Sequence, residues 1–242
     1  FGGIPLSDSA GRTDYVSVNH PELYTLSIFE DILKAKGIEV TGGIDTVNQR
    51  MHSRTGRVQS PLFEWQSDSL PVVLKVINTN SQNFFAEQTL RMLGVVKEGQ
   101  GTFQGGVKAV MGYLDSIGIS PRDIEMYDGS GLSYLNSVKP SAIIKLLSAV
   151  SHSPNFKVYY ESLASPEKDK ALKNRLKGVA GREKVRAKTG YIAKASTFSG
   201  YIKGPKNNHL IAFSIMINNY ACLYSYAEAW EDSLVAAILS EY

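Results

Sequence analysis

Apolar residues recur at helical spacing in several parts of the chain. In the clearest case, a stripe of apolar side chains runs along one face from Phe103 to Ile117, and Gly118 follows its end. The same spacing, with Pro at first-turn positions and Gly beyond the last turn, predicts further helices. They cover residues 22–36, 70–78, 83–93, 140–150 and 224–239, and Gly94 is expected to end the third of them.

Runs of β-branched and apolar residues predict strands at 38–41, 61–65, 184–187, 196–202 and 210–217. A stretch rich in Gly, Pro and Asn, residues 204–208, predicts a hairpin turn between the last two strands. The last strand is apolar on both faces, so we expect it to be covered on both sides. A hairpin followed by a closing helix indicates an α+β fold, with an antiparallel sheet flanked by helices.

The composition is that of a globular protein. Of 242 residues, 43% are apolar and 20% are charged, and the net charge is +3. These values exclude a mainly disordered chain and give no indication of nucleic-acid binding. The longest apolar stretch is far shorter than the roughly 20 residues of a membrane-spanning helix. One Cys and four scattered His predict no metal site, and no other cofactor is expected.

Lys188-Thr189-Gly190 follows a predicted strand and carries groups that suit a peptide carboxylate. Lys188 supplies positive charge and Thr189 a hydroxyl donor, while Gly190 would let a substrate backbone pair along the strand edge. The tripeptide alone is weak evidence, because a strand end with an exposed Lys would have the same letters.

Serine followed two residues later by asparagine occurs three times, starting at Ser17, Ser81 and Ser153. Only Ser81 and Asn83 follow an apolar stretch and stand at the mouth of a predicted helix, which would hold both side chains in a cleft. The alternative role for this copy is an N-cap of that helix, and the two roles are compatible.

A third pattern, Asp128-Gly129-Ser130-Gly131-Leu132-Ser133, predicts a Gly-rich turn and lacks the spacing of a nucleotide-binding loop or nucleophile elbow. The three patterns in this order resemble the active-serine D-Ala-D-Ala carboxypeptidases and endopeptidases of the class C low-molecular-mass penicillin-binding proteins. The likeness runs from about residue 20 to the C-terminus. It includes the stretches 83–94, 137–140, 172–176 and 185–187.

The resemblance implies the transpeptidase-like fold of serine β-lactamases and DD-peptidases, and acyl-enzyme chemistry on peptidoglycan stem peptides. It assigns Ser81 to proton relay toward the leaving group, and Asn83 to a hydrogen bond with the acyl-side amide of the substrate. Lys188 would orient Ser81 and attract the terminal carboxylate, which Thr189 also binds. The backbone N–H of Tyr191 would form part of the oxyanion hole.

Two departures from the family pattern affect this picture. Tyr191 stands where the family usually has Ser or Thr, so the carboxylate pocket lacks one hydroxyl while the backbone donor remains. The nucleophilic Ser-x-x-Lys expected upstream of Ser81 is not found. Ser165-Pro166-Glu167-Lys168 has its letters, but it lies downstream, and its Pro and charges predict a solvated loop rather than a helix.

We therefore expect residues 1–20 to be a linker or the edge of an inserted domain, and 21–242 to be the C-terminal part of the penicillin-binding transpeptidase-like domain. The nucleophile would lie in a missing N-terminal segment of the same protein, which makes the isolated chain inactive. The expected partners are that segment, peptidoglycan peptides and β-lactam antibiotics. Because peptidoglycan lies outside the cytoplasmic membrane, the expected location is the periplasm or cell surface. The alternative is a non-catalytic penicillin-recognising homologue that binds cell-wall peptide or a protein partner.

Overall fold

A computed structural model describes residues 17–45, 64–204 and 209–241. They fall into two compact units, one reaching Trp65 and the other beginning at Gln66. In the first unit, helix α1 spans Pro21–Ala35, which confirms the helix predicted there. The strand predicted at residues 38–41 is wrong, because the Ile38 N–H donates to the Leu33 carbonyl and completes the helix end.

Some predictions fall wholly or partly on residues outside the described ranges. Residues 1–16 are among them, so the boundary predicted near residue 20 stays a prediction. Of the strand predicted at 61–65, only Glu64 and Trp65 are described, and both are irregular. Four residues of the predicted hairpin turn, 205–208, also lie outside.

The second unit contains the helices that surround the candidate site. They are α2 (Leu70–Asn80), α3 (Asn83–Glu98), α4 (Phe103–Ser116), α5 (Pro140–Ser151), α6 (Phe156–Ser162) and α7 (Tyr224–Glu241). Five of them confirm helices predicted from apolar spacing. The sixth, α6, is only seven residues long and was not predicted, because two turns are too few to display a helical period. Among the residues with described structure, no helical segment has both the length and the hydropathy that a membrane crossing requires.

Helices α3 and α4 pack so closely that glycine is required at their contact. A Cβ on Gly94 would lie 2.7 Å from the Gln100 carbonyl oxygen, and a Cβ on Gly106 would overlap the Leu90 carbonyl oxygen. The prediction that Gly94 ends the helix is therefore wrong. Gly94 lies inside α3, where it lets the neighbouring backbone approach, and the helix ends at Gly99, which has a φ of 75°.

The main sheet is an antiparallel meander of three strands, in the order β3 (Val185–Ile192), β4 (Ala195–Lys203) and β5 (Leu210–Asn218). The β4–β5 hairpin is confirmed. Strand β3 is longer than the predicted 184–187, so Lys188-Thr189-Gly190 lies inside the strand rather than after it. A separate small sheet pairs β1 (Ile124–Glu125) with β2 (Ser137–Val138).

Helices cover both faces of the main sheet. On one face, α7 packs against a core that includes Val185, Phe198 and Val235. On the other face, α5 and α6 pack around Tyr201, whose buried hydroxyl donates to the Leu147 carbonyl at 2.7 Å. The α+β arrangement and the two-sided cover of the last strand are both as predicted.

Candidate active site

Ser81 occupies the junction between two helices. It follows α2 and precedes α3, and its φ of 52° and ψ of 47° lie in the left-handed region. Such a backbone costs a non-glycine residue on the order of 1–3 kcal/mol. The N-cap role goes to Gln82, whose side-chain oxygen accepts from the Phe84 N–H at 3.2 Å. The Ser81 hydroxyl is thus left for a different partner.

Helix α2, which carries Ser81 at its end, is held against α6. The Asn78 amide donates to the Ser162 hydroxyl at 2.7 Å, and the Lys75 ammonium donates to the Glu161 carbonyl at 3.3 Å. Ser162 is buried and in turn donates to the Tyr159 carbonyl. These bonds fix the last turns of α2 and therefore the position of Ser81.

Lys188 and Ser81 are 107 residues apart in the sequence but are in contact in the structure. The Lys188 ammonium donates to the Ser81 hydroxyl at 2.8 Å and to the carbonyl oxygen of Thr189 at 2.6 Å. Burial lowers the pKa of Lys188 from its ordinary value of 10.5, because the charged form loses hydration. The pair joins a hydroxyl to an ammonium that releases its proton more readily than a free lysine does.

One edge of β3 faces β4, and the other edge is hydrogen-bonded at Ala187 but open nearer the site. Ala187 exchanges two backbone hydrogen bonds with Ala164, at 2.9 and 3.2 Å, so its N–H and C=O point away from β4. Backbone groups alternate in direction along a strand, so those of Thr189 and Tyr191 point the same way. The Tyr191 N–H is therefore directed to the edge that β4 does not use.

The remaining predicted site residues lie on β3 or beside Ser81. Gly190 pairs with Thr197, and a Cβ on Gly190 would lie 2.5 Å from the Thr197 hydroxyl oxygen. Asn83 is exposed at the first position of α3, two residues from Ser81. The Tyr191 ring is 56% exposed and contacts the Tyr224 ring, with 4.3 Å between centroids.

The Gly-rich loop 128–133 is confirmed as a turn, and it braces α3. The Asp128 carboxylate accepts from the Gly131 and Ser133 N–H groups at 2.8 and 2.7 Å and from the Asn136 amide at 2.8 Å. Burial alone would raise the pKa of Asp128, but these hydrogen bonds outweigh it and hold that pKa below its ordinary value. The carboxylate therefore stays ionised and keeps the loop closed.

Glu87 joins this loop to the helix that begins at Asn83. Its Oε1 accepts from the backbone N–H groups of Gly129 and Ser130, at 3.2 and 2.9 Å. A Cβ on Gly129 would lie 2.8 Å from the Ala86 carbonyl oxygen, so only glycine allows this approach. Glu87 was not singled out from the sequence, where an acidic residue inside a helix carries no signal of a partner 42 residues away.

The rejected Ser-x-x-Lys match at 165–168 is not a helix, as predicted. The expectation of a solvated loop holds for Glu167 and Lys168, which are exposed, but is wrong for the first two residues. Ser165 is only 2% exposed, and its backbone N–H donates to the Asp169 carboxylate at 2.9 Å. Pro166 is also buried, and its carbonyl accepts from Arg182 at 2.8 Å. Residues 166–168 form a single turn, in which the Ser165 carbonyl accepts from the Lys168 and Asp169 N–H groups at 3.3 and 3.0 Å, and the turn does not continue into a helix.

The fold around this site is found in solved structures of penicillin-recognising proteins. Penicillin binding protein 4 from Haemophilus influenzae, complexed with a novel β-lactam, matches with a TM-score of 0.75 and 23% identity, covering 93% of this chain and 52% of that one. A class A β-lactamase from Bacteroides cellulosilyticus matches with a TM-score of 0.54 and 19% identity, covering 71% and 62%. The chain thus has the transpeptidase-like fold that the sequence resemblance implied.

The chain belongs to the D-Ala-D-Ala carboxypeptidase 3 (S13) family, whose profile matches residues 1–237. Among curated relatives, a D-alanyl-D-alanine carboxypeptidase from Actinomadura sp. is 29% identical over 225 residues, covering 91% of this chain and 41% of that protein. A penicillin-sensitive carboxypeptidase A from Dictyostelium discoideum is 26% identical over 224 residues, covering 84% and 40%. The chain spans about two fifths of the length of these relatives.

Proposed function

We propose that this chain forms part of the active site of a serine-type D-Ala-D-Ala carboxypeptidase or endopeptidase that acts on peptidoglycan stem peptides through an acyl-enzyme. The hydrogen bond between Lys188 and Ser81 carries the proposal. A hydroxyl held by an ammonium of lowered pKa can pass a proton to a leaving amine, which is what cleavage of a peptide bond requires.

We assign to the remaining groups on β3 and α3 the roles that the family resemblance implies. Lys188 and the Thr189 hydroxyl attract the terminal carboxylate, and the Tyr191 N–H donates to the carbonyl oxygen as negative charge develops on it. Asn83 donates to the acyl-side amide. When the nucleophile adds to the carbonyl carbon and the C–N bond breaks, Ser81 gives its proton to the departing nitrogen and takes one from the Lys188 ammonium.

The nucleophilic serine of this reaction would belong to a part of the protein outside these 242 residues. The matched relatives are more than twice as long as the matched region, which leaves room for a Ser-x-x-Lys segment elsewhere in the protein. The chain by itself would then bind substrate weakly and form no acyl-enzyme. Peptidoglycan peptides and β-lactams would be bound by the completed site, in the periplasm or at the cell surface.

The test is labelling of the full-length protein with a fluorescent penicillin. We expect a covalent adduct in the full-length protein, much slower labelling in Lys188→Met, and none in the 242-residue chain. Lys203→Met, which removes an exposed lysine from the far end of β4, is the control and should label at the normal rate. A folded full-length protein that forms no adduct would reject the enzyme and favour the non-catalytic homologue.

A further inference from the structure

A buried charge cluster lies under the strands of the candidate site. Arg175 is 4% exposed and donates to the carboxylates of Asp232 and Glu231, each at 2.8 Å. A third carboxylate, that of Glu228, lies 3.6 Å from the same guanidinium. The three acids stand at positions i, i+3 and i+4 of α7, so they share the helix face that meets Arg175.

This cluster reaches the strand that pairs with the site. Glu231 is completely buried, and its second carboxylate oxygen accepts from the Ser196 hydroxyl at 2.7 Å. Ser196 is the cross-strand partner of Tyr191. Because the Tyr191 backbone points to the open edge, this pair has no ladder hydrogen bonds of its own, and side chains are closest in such pairs.

Arg175 also lies beneath a second cross-strand partner. Its guanidinium carbon is 4.4 Å from the centre of the Phe198 ring, and Phe198 pairs with Thr189. A further link runs through the Tyr191 ring, which contacts Tyr224 at the start of α7. The end of β3 is therefore tied to α7 at the two positions whose backbone groups face the open edge.

We propose that Arg175 and Glu231 are positioning residues for the candidate site. They hold Ser196 and Phe198, and through these partners they fix the direction of the Tyr191 N–H at the open edge of β3. The inference rests on the proposed function, in which that N–H donates to the substrate carbonyl. Because Arg175 and Glu231 are buried, they would not touch the substrate, and their effect would be on the chemical step rather than on carboxylate binding.

The physical reason for a buried anchor is the short turn beside it. Strands β3 and β4 are joined by Ala193 and Lys194, and Ala193 has a φ of 44°, an unfavourable value for a residue with a Cβ. A strained turn of this kind persists only where the surrounding structure holds it in place. The Ser196 hydroxyl, two residues beyond Lys194, donates a charge-assisted hydrogen bond to the Glu231 carboxylate and so helps to hold the turn.

The test compares two hydroxyl deletions on β4 in the full-length protein. Ser196→Ala removes the bond to Glu231, and the control Tyr201→Phe removes an equally buried hydroxyl bond to Leu147. The readouts are the acylation rate constant at saturating β-lactam and the dissociation constant of the non-covalent complex. Hydrogen exchange of the segment 188–194 is followed in parallel.

We expect Ser196→Ala to lower the acylation rate constant about tenfold. Complete removal of an oxyanion donor costs about 10²–10³-fold, and here the donor is only misdirected. The dissociation constant should stay within about twofold, since Lys188 and Thr189 are unchanged, and segment 188–194 should exchange faster. Ser196→Thr, which keeps the hydroxyl, should restore the rate. Tyr201→Phe should change neither the rate constant nor exchange in 188–194.

Equal acylation rates in Ser196→Ala and Tyr201→Phe, with a normally labelled wild type, would overturn the positioning role alone. A wild type that forms no adduct would overturn the proposed function as well. If Ser196→Ala does not fold, Ser196→Cys keeps the side-chain size with a much weaker donor and is read in the same way.

Discussion

The contact between Ser81 and Lys188 makes a quantitative prediction about the chemical step. A hydrogen bond that involves a charged group contributes about 1.5–3 kcal/mol, and the observed separation of 2.8 Å is within the range of full-strength bonds. If this bond persists in the transition state, its loss slows acylation by roughly 10- to 150-fold, at about 1.4 kcal/mol for each factor of ten.

A double-mutant cycle separates this contact from the other roles of the two residues. The variants Ser81→Ala, Lys188→Met and the double variant are made in the full-length protein, and the acylation rate with a chromogenic β-lactam is measured for each. Lys188 also donates to the Thr189 carbonyl and is expected to attract the carboxylate, so its single variant should be the slower one. The double variant should be scarcely slower than Lys188→Met.

The expected coupling free energy is at least about 1.5 kcal/mol, the lower end of the range for a charged hydrogen bond. The control cycle combines Ser81→Ala with Lys75→Met, since Lys75 lies on α2 and its ammonium bonds to Glu161 instead. That cycle should be additive to within about 0.5 kcal/mol. Additive effects in the Ser81–Lys188 cycle as well would refute proton relay through this pair.

Three further predictions concern stability, each measured by denaturant unfolding of the full-length protein. Gly106→Ala should destabilise the folded protein by about 1–3 kcal/mol through overpacking. In the same helix, the new Cβ of Gly112→Ala would have no atom within 4 Å, so this variant should stabilise the protein by up to about 1 kcal/mol. Equal effects of the two variants would contradict the close packing of α3 and α4 at Gly106. Burial lowers the pKa of Lys188 in the folded protein, so the folded protein releases the Lys188 proton at a lower pH than the unfolded chain does. The free energy of unfolding should therefore rise with pH between the lowered pKa and 10.5. Lys188→Met should remove that rise, and an unchanged pH profile in this variant would contradict the lowered pKa. Arg175→Met should cost about 3–5 kcal/mol, because Glu231 is left buried without its cation; a near-neutral result would show that the cluster relaxes or takes up protons.

The elements of this protein were largely predictable because most of them bury one face. The stripe from Phe103 to Ile117 and the apolar run from Leu210 lie in helix α4 and strand β5 of the structure. Prediction was wrong at Gly94, where the letter marks a helix end but the structure uses glycine for contact with Gly106. Local sequence patterns cannot distinguish a glycine that ends a helix from a glycine that lets two helices approach. The difference depends on which backbone packs opposite the glycine.

The residues of the candidate site could be proposed from the sequence, but the residues that hold them in place could not. Ser81 and Lys188 were singled out from their residue types and local context, and the family resemblance, which depends on the order and spacing of three patterns, assigned their roles. The partners that hold them carry no pattern of their own. Glu87, which braces the Gly-rich loop, and Glu231, which anchors β4, resemble ordinary helix residues until the chain is folded.

The sequence by itself determined most of the secondary structure that the structure describes, the order of the three polar patterns and the family. These properties depend on side-chain periodicity and on letters at fixed spacing, both of which are local or can be compared along the chain. Only the tertiary structure decided that Lys188 bonds to Ser81, that the Tyr191 N–H faces an open strand edge, and that Arg175 lies against Phe198 on the neighbouring strand β4. Each of these depends on contacts between distant segments, whose geometry is set by the packing of the whole unit.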